Sequence, residues 1–129
     1  MATRNRKQEL KPVRYYKGLS EFRDLTGVVG FQTPYQYLRW PKKWLPKEDG
    51  TPGAWTPWRK RVLLCKGGWH VTSTPQKFAN SCGKKLVFFE VEVQGHHDGP
   101  QGADNKTCWS SIRLLRRAFI RTPKNENYL

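Results

Sequence analysis

The chain has 129 residues, with 24 Lys and Arg against 10 Asp and Glu, and a formal net charge of +14 at pH 7. The length fits a single domain, and no apolar run approaches the roughly 18 residues that a membrane-spanning helix needs. So large a positive excess raises the free energy of a compact fold through self-repulsion, and it points to a polyanionic partner.

The chain divides into three parts by composition. Residues 1–12 are basic and polar and read as an N-terminal arm that carries no secretory signal, residues 13–122 as one globular domain, and residues 123–129 as a C-terminal tail. The three cysteines are odd in number and widely spaced, which is typical of reduced thiols in a cytoplasmic protein.

The first elements of the domain are short. A β-branched and aromatic stretch predicts a strand over residues 13–16, and residues 28–31 predict a second. Between them, residues 20–25 read as one helical turn, with Ser20 as its N-cap and Gly27 just past its end.

A long loop rich in proline and tryptophan follows over residues 41–58. Its four prolines exclude a regular helix or a central strand. Four tryptophans lie in or beside it, and such large rings need a surface to pack on. We therefore expect an ordered and functional loop.

The second half of the domain alternates strands and helices. Strands are predicted over residues 59–65, 69–72 and 85–93, and a helix begins at Thr74-Pro75 and ends at Gly83. In the last of these strands, Val87, Phe89, Val91 and Val93 share one face, and Leu86, Phe88, Glu90 and Glu92 share the other.

A loop is predicted over residues 95–105 from its glycines and proline. Residues 107–120 carry apolar side chains at helical spacing and predict a helix, with a strand over 112–115 as the competing interpretation. The predicted fold class is thus α+β: a small mixed or antiparallel sheet, two or three short helices and the long Pro/Trp-rich loop.

Nucleic-acid binding is the function that the basic groups favour. Cations neutralise phosphates, and flat rings stack on exposed bases. Trp44 and Trp58 are the predicted stacking residues. The predicted phosphate contacts are Arg39, Lys42, Lys43, Arg59, Lys60 and Arg61, together with Arg113, Arg116 and Arg117 along one side of the last predicted helix.

Metal binding and acid–base catalysis are the alternative chemistries that the residues allow. The cysteines and histidines lack the Cys-x-x-Cys spacing that anchors zinc. Glu90 and Glu92 share a strand face at a separation that acid–base work would allow, but a solvent-facing polar row beside a basic patch is the favoured explanation. From the residues themselves we predict neither a metal nor a cofactor.

Two family resemblances add to this interpretation. The stretch from Leu64 to His70 (LCKGGWH), a strand ending in Glu90-Val91-Glu92-Val93, Asp104-Asn105-Lys106 and Ile112-Arg113-Leu114-Leu115-Arg116 resemble an uncharacterised small domain of phage and prophage proteins. Tyr16-Lys17-Gly18 matches the start of that pattern. The resemblance implies a phage origin and a compact α+β fold, and it implies no known activity.

The order Lys17-Gly18, Thr72-Ser73-Thr74 and Glu90-Val91-Glu92 is similar to the arginine-serine-glutamate class of ADP-ribosyltransferases. That similarity implies NAD-dependent transfer, with Lys17, Ser73 and Glu92 as the catalytic positions. Lys17 replaces the arginine that grips the cofactor phosphates in that class, and a lysine lacks the bidentate fork.

The leading hypothesis is a small basic phage-type accessory protein that binds DNA or RNA in the cytoplasm of the host cell, with no enzymatic activity predicted. The alternatives are a module that uses the Pro/Trp loop to bind an acidic host or virion protein, and the NAD-dependent transferase. No membrane partner is predicted.

Overall fold

A computed structural model describes residues 13–124, and the structural statements below concern that part of the chain. The predicted arm (1–12) and the end of the predicted tail (125–129) lie outside it. The described elements are β1 (Tyr15–Arg23), β2 (Val29–Gln32), β3 (Arg39–Trp40), a 3-10 turn (Lys42–Trp44), β4 (Trp69–Thr72), α1 (Pro75–Cys82), β5 (Leu86–Gln101) and β6 (Lys106–Arg121).

The predicted α+β class with two or three helices is wrong. The described part is mostly antiparallel sheet, and α1 is its single α-helix. β1 pairs with β5 and, at Tyr16, with β4; β4 pairs with β6, and β6 pairs with β5. These four strands close into a ring, and β2 and β3 extend the sheet from the second half of β1.

The β5–β6 hairpin is longer than predicted, because its strand pairing continues past Gly95 and Gly99 with β-bulges at these glycines. Residues 95–101, predicted as loop, continue β5, and register shifts lie between Gln94 and His97 and between Asp98 and Gln101. Gly95 and Gly99 have positive φ angles of 91° and 100° at these shifts. Glycine adopts that backbone without steric cost, so it marks a bulge here and not a loop.

The helix predicted over residues 107–120 is β6, and the competing strand at 112–115 is confirmed. Cys108, Ser110, Ile112 and Leu114 are buried at alternate positions, which is the period of a strand. The row of arginines expected on one side of a helix therefore does not exist.

Two further predictions also fail. The helical turn at 20–25 is the end of β1 and a tight turn, in which Asp24 accepts the N–H groups of Thr26 and Val28 at 2.9 Å each. The buried strand at 59–65 is irregular, and Leu63 is 45% exposed. The predicted strands at 28–31 and 69–72 and the helix after Thr74 are confirmed.

The core lies on both faces of the ring, as the alternation in β5 predicts. Val87, Phe89 and Val91 pack inside with Leu19, Trp40, Val71, Ile112 and Leu114. Leu86 and Phe88 pack on the other face beneath Phe78 and Ala79 of α1. Gly83, with φ 72°, ends α1 as predicted.

A buried lysine completes the ring where β1 and β4 share a single residue pair. The Lys17 ammonium donates to the His70 carbonyl at 2.9 Å and lies 5.5 Å from the centroid of Trp40. Burial lowers the pKa of Lys17 to about 8. Lys17 thus supplies β4 with a hydrogen-bond donor beside their one strand pair.

Candidate nucleic-acid interface

We call residues 41–58 the Pro/Trp segment. Its second half runs antiparallel along β6 as an irregular edge, which prolines permit and a regular ladder would not. Three backbone hydrogen bonds of 2.8–2.9 Å hold it there: Gly53 N–H to Leu114, Thr56 N–H to Ile112, and the N–H of the following Arg59 to Ser110.

Three indoles join the two ends of the Pro/Trp segment to β4. Trp44 contacts Trp40 and Trp69 edge-on, with ring centroids 5.1 and 5.4 Å away. The Trp69 indole N–H also donates to the carbonyl of Pro57 at 2.8 Å. Trp44, predicted to stack on bases, is therefore half-buried in an indole cluster.

Trp58 is the exposed member of the six tryptophans, with 53% of its surface accessible. Its ring rests on β5 at Gly95, where a Cβ atom would lie only 2.6 Å from its Cη2. The Pro57 carbonyl and the Arg59 N–H fix the backbone on both sides. The indole is thus exposed on a fixed support.

Five of the predicted phosphate contacts lie in this segment or directly after it, and we call them the loop cations: Lys42, Lys43, Arg59, Lys60 and Arg61. All five are exposed. The Arg59 guanidinium lies 4.7 Å from the centroid of Trp69, and the Lys43 carbonyl accepts the Ala54 N–H at 2.9 Å. Among residues 13–124, every ion pair is made by other cations, so no described carboxylate neutralises these five.

The strand arginines are placed differently. Arg113 binds Glu92 at 2.5 Å, and Arg116 binds Glu90 at 2.9 Å across the β5–β6 hairpin. Arg14 adds a longer contact of 3.8 Å to Glu90. The two carboxylates considered for acid–base work are therefore partners of arginines.

Two predicted phosphate contacts lie apart from these pairs. Arg117 is exposed on β6, opposite Phe89 of β5. Arg39, on β3, lies 3.9 Å over the ring of Phe22 from β1. Their roles stay predictions.

The three positions implied by the transferase resemblance do not meet in one site. Lys17 is buried against Trp40 and bonded to His70. Glu92 is exposed and occupied by Arg113, and Ser73 follows β4 as a half-buried residue.

Sequence reasoning missed the residues that support the site. Gly95, which contacts the Trp58 ring, lies in a predicted loop, and Trp69, which contacts Arg59, lies in a strand for which the sequence predicts no functional role. His97 lies stacked on Trp109 with centroids 4.6 Å apart. The pairing register brings these groups together, and the sequence does not display it.

The described part of the chain holds no cluster of three or more His, Cys, Asp or Glu side chains arranged to bind a metal. The described helices are too short or too polar to cross a bilayer. Cys65, Cys82 and Cys108 are free thiols.

Comparison with known proteins gives no match among protein-family models, curated proteins or solved structures. The two resemblances therefore stay predictions.

Proposed function

We propose that the protein binds nucleic acid, chiefly through phosphate contacts of the loop cations, with Trp58 as a stacking surface. The observation that supports this most is the distribution of counter-charges. Lys42, Lys43, Arg59, Lys60 and Arg61 are exposed and unpaired among the described residues, whereas Arg113 and Arg116 hold carboxylates.

Unpaired cations on one segment suit a phosphate backbone. Each Lys or Arg that neutralises a phosphate releases a condensed counterion, and the entropy of that release drives binding. If all five loop cations act, the slope of log K against log salt lies between about −3.5 on a single strand and −4.5 on a duplex.

The decisive experiment is fluorescence anisotropy with labelled oligonucleotides over a series of salt concentrations. Reversing the charge of Arg59, Lys60 and Arg61 together to Glu should lower affinity on the order of 100-fold for all sequences alike, and should flatten the salt dependence. The absorbance ratio of the purified protein before and after a high-salt wash gives a first indication of bound nucleic acid.

A matched control separates a local site from a general charge effect. Lys77, Lys85 and Lys124 are exposed and make no ion pair among the described residues, so changing them to Glu alters the net charge equally. The control should lose less than about fivefold in affinity. Equal losses in both triples, or none in either, would contradict the proposed site.

The same material tests the alternative partner. Recovery of a single acidic protein that survives nuclease treatment, with no oligonucleotide binding, would favour a protein-interaction module.

A further inference from the structure

We infer that the nucleic acid taken by this site is single-stranded, with an unpaired base stacked on Trp58. The inference rests on the proposed function and names its substrate class. Its starting point is the exposure of Trp58, because the other five indoles are buried or half-buried.

Trp58 is held in place before any ligand arrives. Its backbone is bonded on both sides, to Trp69 through the Pro57 carbonyl and to Ser110 through the Arg59 N–H. Its ring rests on a position that only glycine fits, since Gly95 has φ 91° and lies against Trp58 and Ser110. A ring that is already ordered loses little conformational entropy on binding.

A duplex offers this ring no matching surface. Base faces inside a double helix are covered by their neighbours, so stacking on an aromatic side chain needs a splayed or unpaired base. Proteins that read duplexes place a helix or a two-stranded ribbon in the major groove. Here Lys42 and Lys43 lie on the 3-10 turn and the other loop cations on irregular backbone. The helix α1 buries Phe78 and Ala79 in the core, and the β5–β6 hairpin is held in the ring by β1 and β4.

The cations nearest to Trp58 are suited to the phosphates on either side of a stacked base. Arg59, Lys60 and Arg61 follow Trp58 directly. Three residues of extended chain span at most about 11 Å, so these side chains reach the neighbouring phosphates. The Arg59 guanidinium also lies 4.7 Å from the centroid of Trp69, and a guanidinium plane can stack on a base.

The test compares three labelled probes in anisotropy titrations: a dT15 strand, a 15-mer of abasic sites with the same phosphates, and a hairpin duplex. Wild-type protein should bind dT15 at least fivefold more tightly than the abasic strand. Trp58→Ala should weaken dT15 binding by about 5- to 150-fold and abasic binding by less than about twofold, and Trp58→Phe should retain most of the affinity.

Tyr35→Ala is the matched control, since Tyr35 is 54% exposed against 53% for Trp58. It should leave all three affinities unchanged. Thermal melts of each variant report folding. If Trp58→Ala unfolds, the preference of the wild-type protein for dT15 over the abasic strand carries the test.

The possible failures are distinguishable. If the duplex binds as tightly as dT15, or if Trp58→Ala weakens dT15 and abasic binding equally, the single-strand inference is overturned while the proposed function stands. If none of the three probes binds at low salt, the proposed function fails and this inference fails with it.

Discussion

In the β5–β6 hairpin, Arg113 lies 5.0 Å over the ring of Trp55 and also binds Glu92; after the Pro/Trp segment, Arg59 lies 4.7 Å over Trp69 and has no described carboxylate beside it. The two arginines share the same local contact with an indole. Their contributions to the surrounding electrostatic potential differ. Glu92 neutralises the charge of Arg113, whereas the charge of Arg59 has no described carboxylate beside it. The formal net charge therefore overestimates the positive potential of the hairpin relative to that around Arg59.

The largest expected effect concerns Gly95, where the two regions touch. A Cβ there would lie 2.4 Å from the Ser110 Cβ and 2.6 Å from Trp58, on a backbone with φ 91°. Gly95→Ala should lower the free energy of unfolding by about 2–4 kcal/mol, as measured by urea titration.

Gly50→Ala is the control for Gly95, because Gly50 has φ 92° with open space around it. That change should cost only about 1 kcal/mol, for the backbone conformation alone. Equal losses at the two positions would mean that the contact between Trp58 and the hairpin is not tight.

The next prediction compares two sets of cations, one expected to affect binding and the other expected to affect stability. Neutralising Arg59, Lys60 and Arg61 to Gln should weaken oligonucleotide binding at least tenfold and change stability by less than about 0.5 kcal/mol. Neutralising Arg113 and Arg116 to Gln should do the reverse. It should lower stability by about 1–2 kcal/mol and affinity by less than about threefold, because these charges are already paired.

Anisotropy and urea denaturation on the same preparations check both variants. If the Arg113 and Arg116 variant lost more affinity than the Arg59, Lys60 and Arg61 variant, the hairpin and not the loop cations would be the binding surface.

The smallest expected effect concerns the pH dependence of stability and not nucleic-acid binding. His70 accepts the Cys65 N–H at 2.8 Å, and burial, with the positive charges of Lys17 and Lys106, lowers the pKa of His70 to about 4. The unfolded chain takes up this proton near pH 6.5, before the folded protein does. The stabilisation that neutral His70 contributes is therefore fully present above pH 6.5 and is lost as the pH falls towards 4. The free energy of unfolding should fall by about 1–2 kcal/mol over this range, after solvent screening of the partly exposed ring.

His70→Gln should flatten that pH dependence in urea titrations at pH 7, 5.5 and 4.5. His96→Gln, the same substitution at an exposed histidine of β5, is the control. An unaltered slope in His70→Gln would assign the pH dependence to other groups.

Local patterns predicted the elements that obey a simple period. The alternation from Val87 to Val91 and the Pro75 and Gly83 boundaries of α1 needed no long-range information. The second half of the hairpin could not be read in this way. Gly95 and Gly99 sit at bulges inside a strand, where the sequence predicts a loop.

β6 was misread for a related reason. Its apolar residues Cys108, Ile112, Leu115 and Phe119 recur at helical spacing, because two register shifts place an extra residue, Leu115 and Ala118, in β6 itself and disturb its period of two. Tertiary pairing with β5 decided the outcome.

The site was predicted only in composition. The tryptophans and cations were recognised, but the sequence does not say that Trp44 is packed and Trp58 exposed. It also does not say that Arg113 meets Glu92, since that pairing depends on the register of two strands. Which charges are free is a property of the fold.

Closure of the ring also bears on how the chain folds. Lys17 meets His70 across 53 positions, and Thr56 meets Ile112 across 56. Contacts of such sequence separation form slowly, because the intervening chain must first lose its freedom. The backbone around Trp58 can therefore take its place only after β6 has been synthesised, because Thr56 and Arg59 bond to Ile112 and Ser110 of that strand.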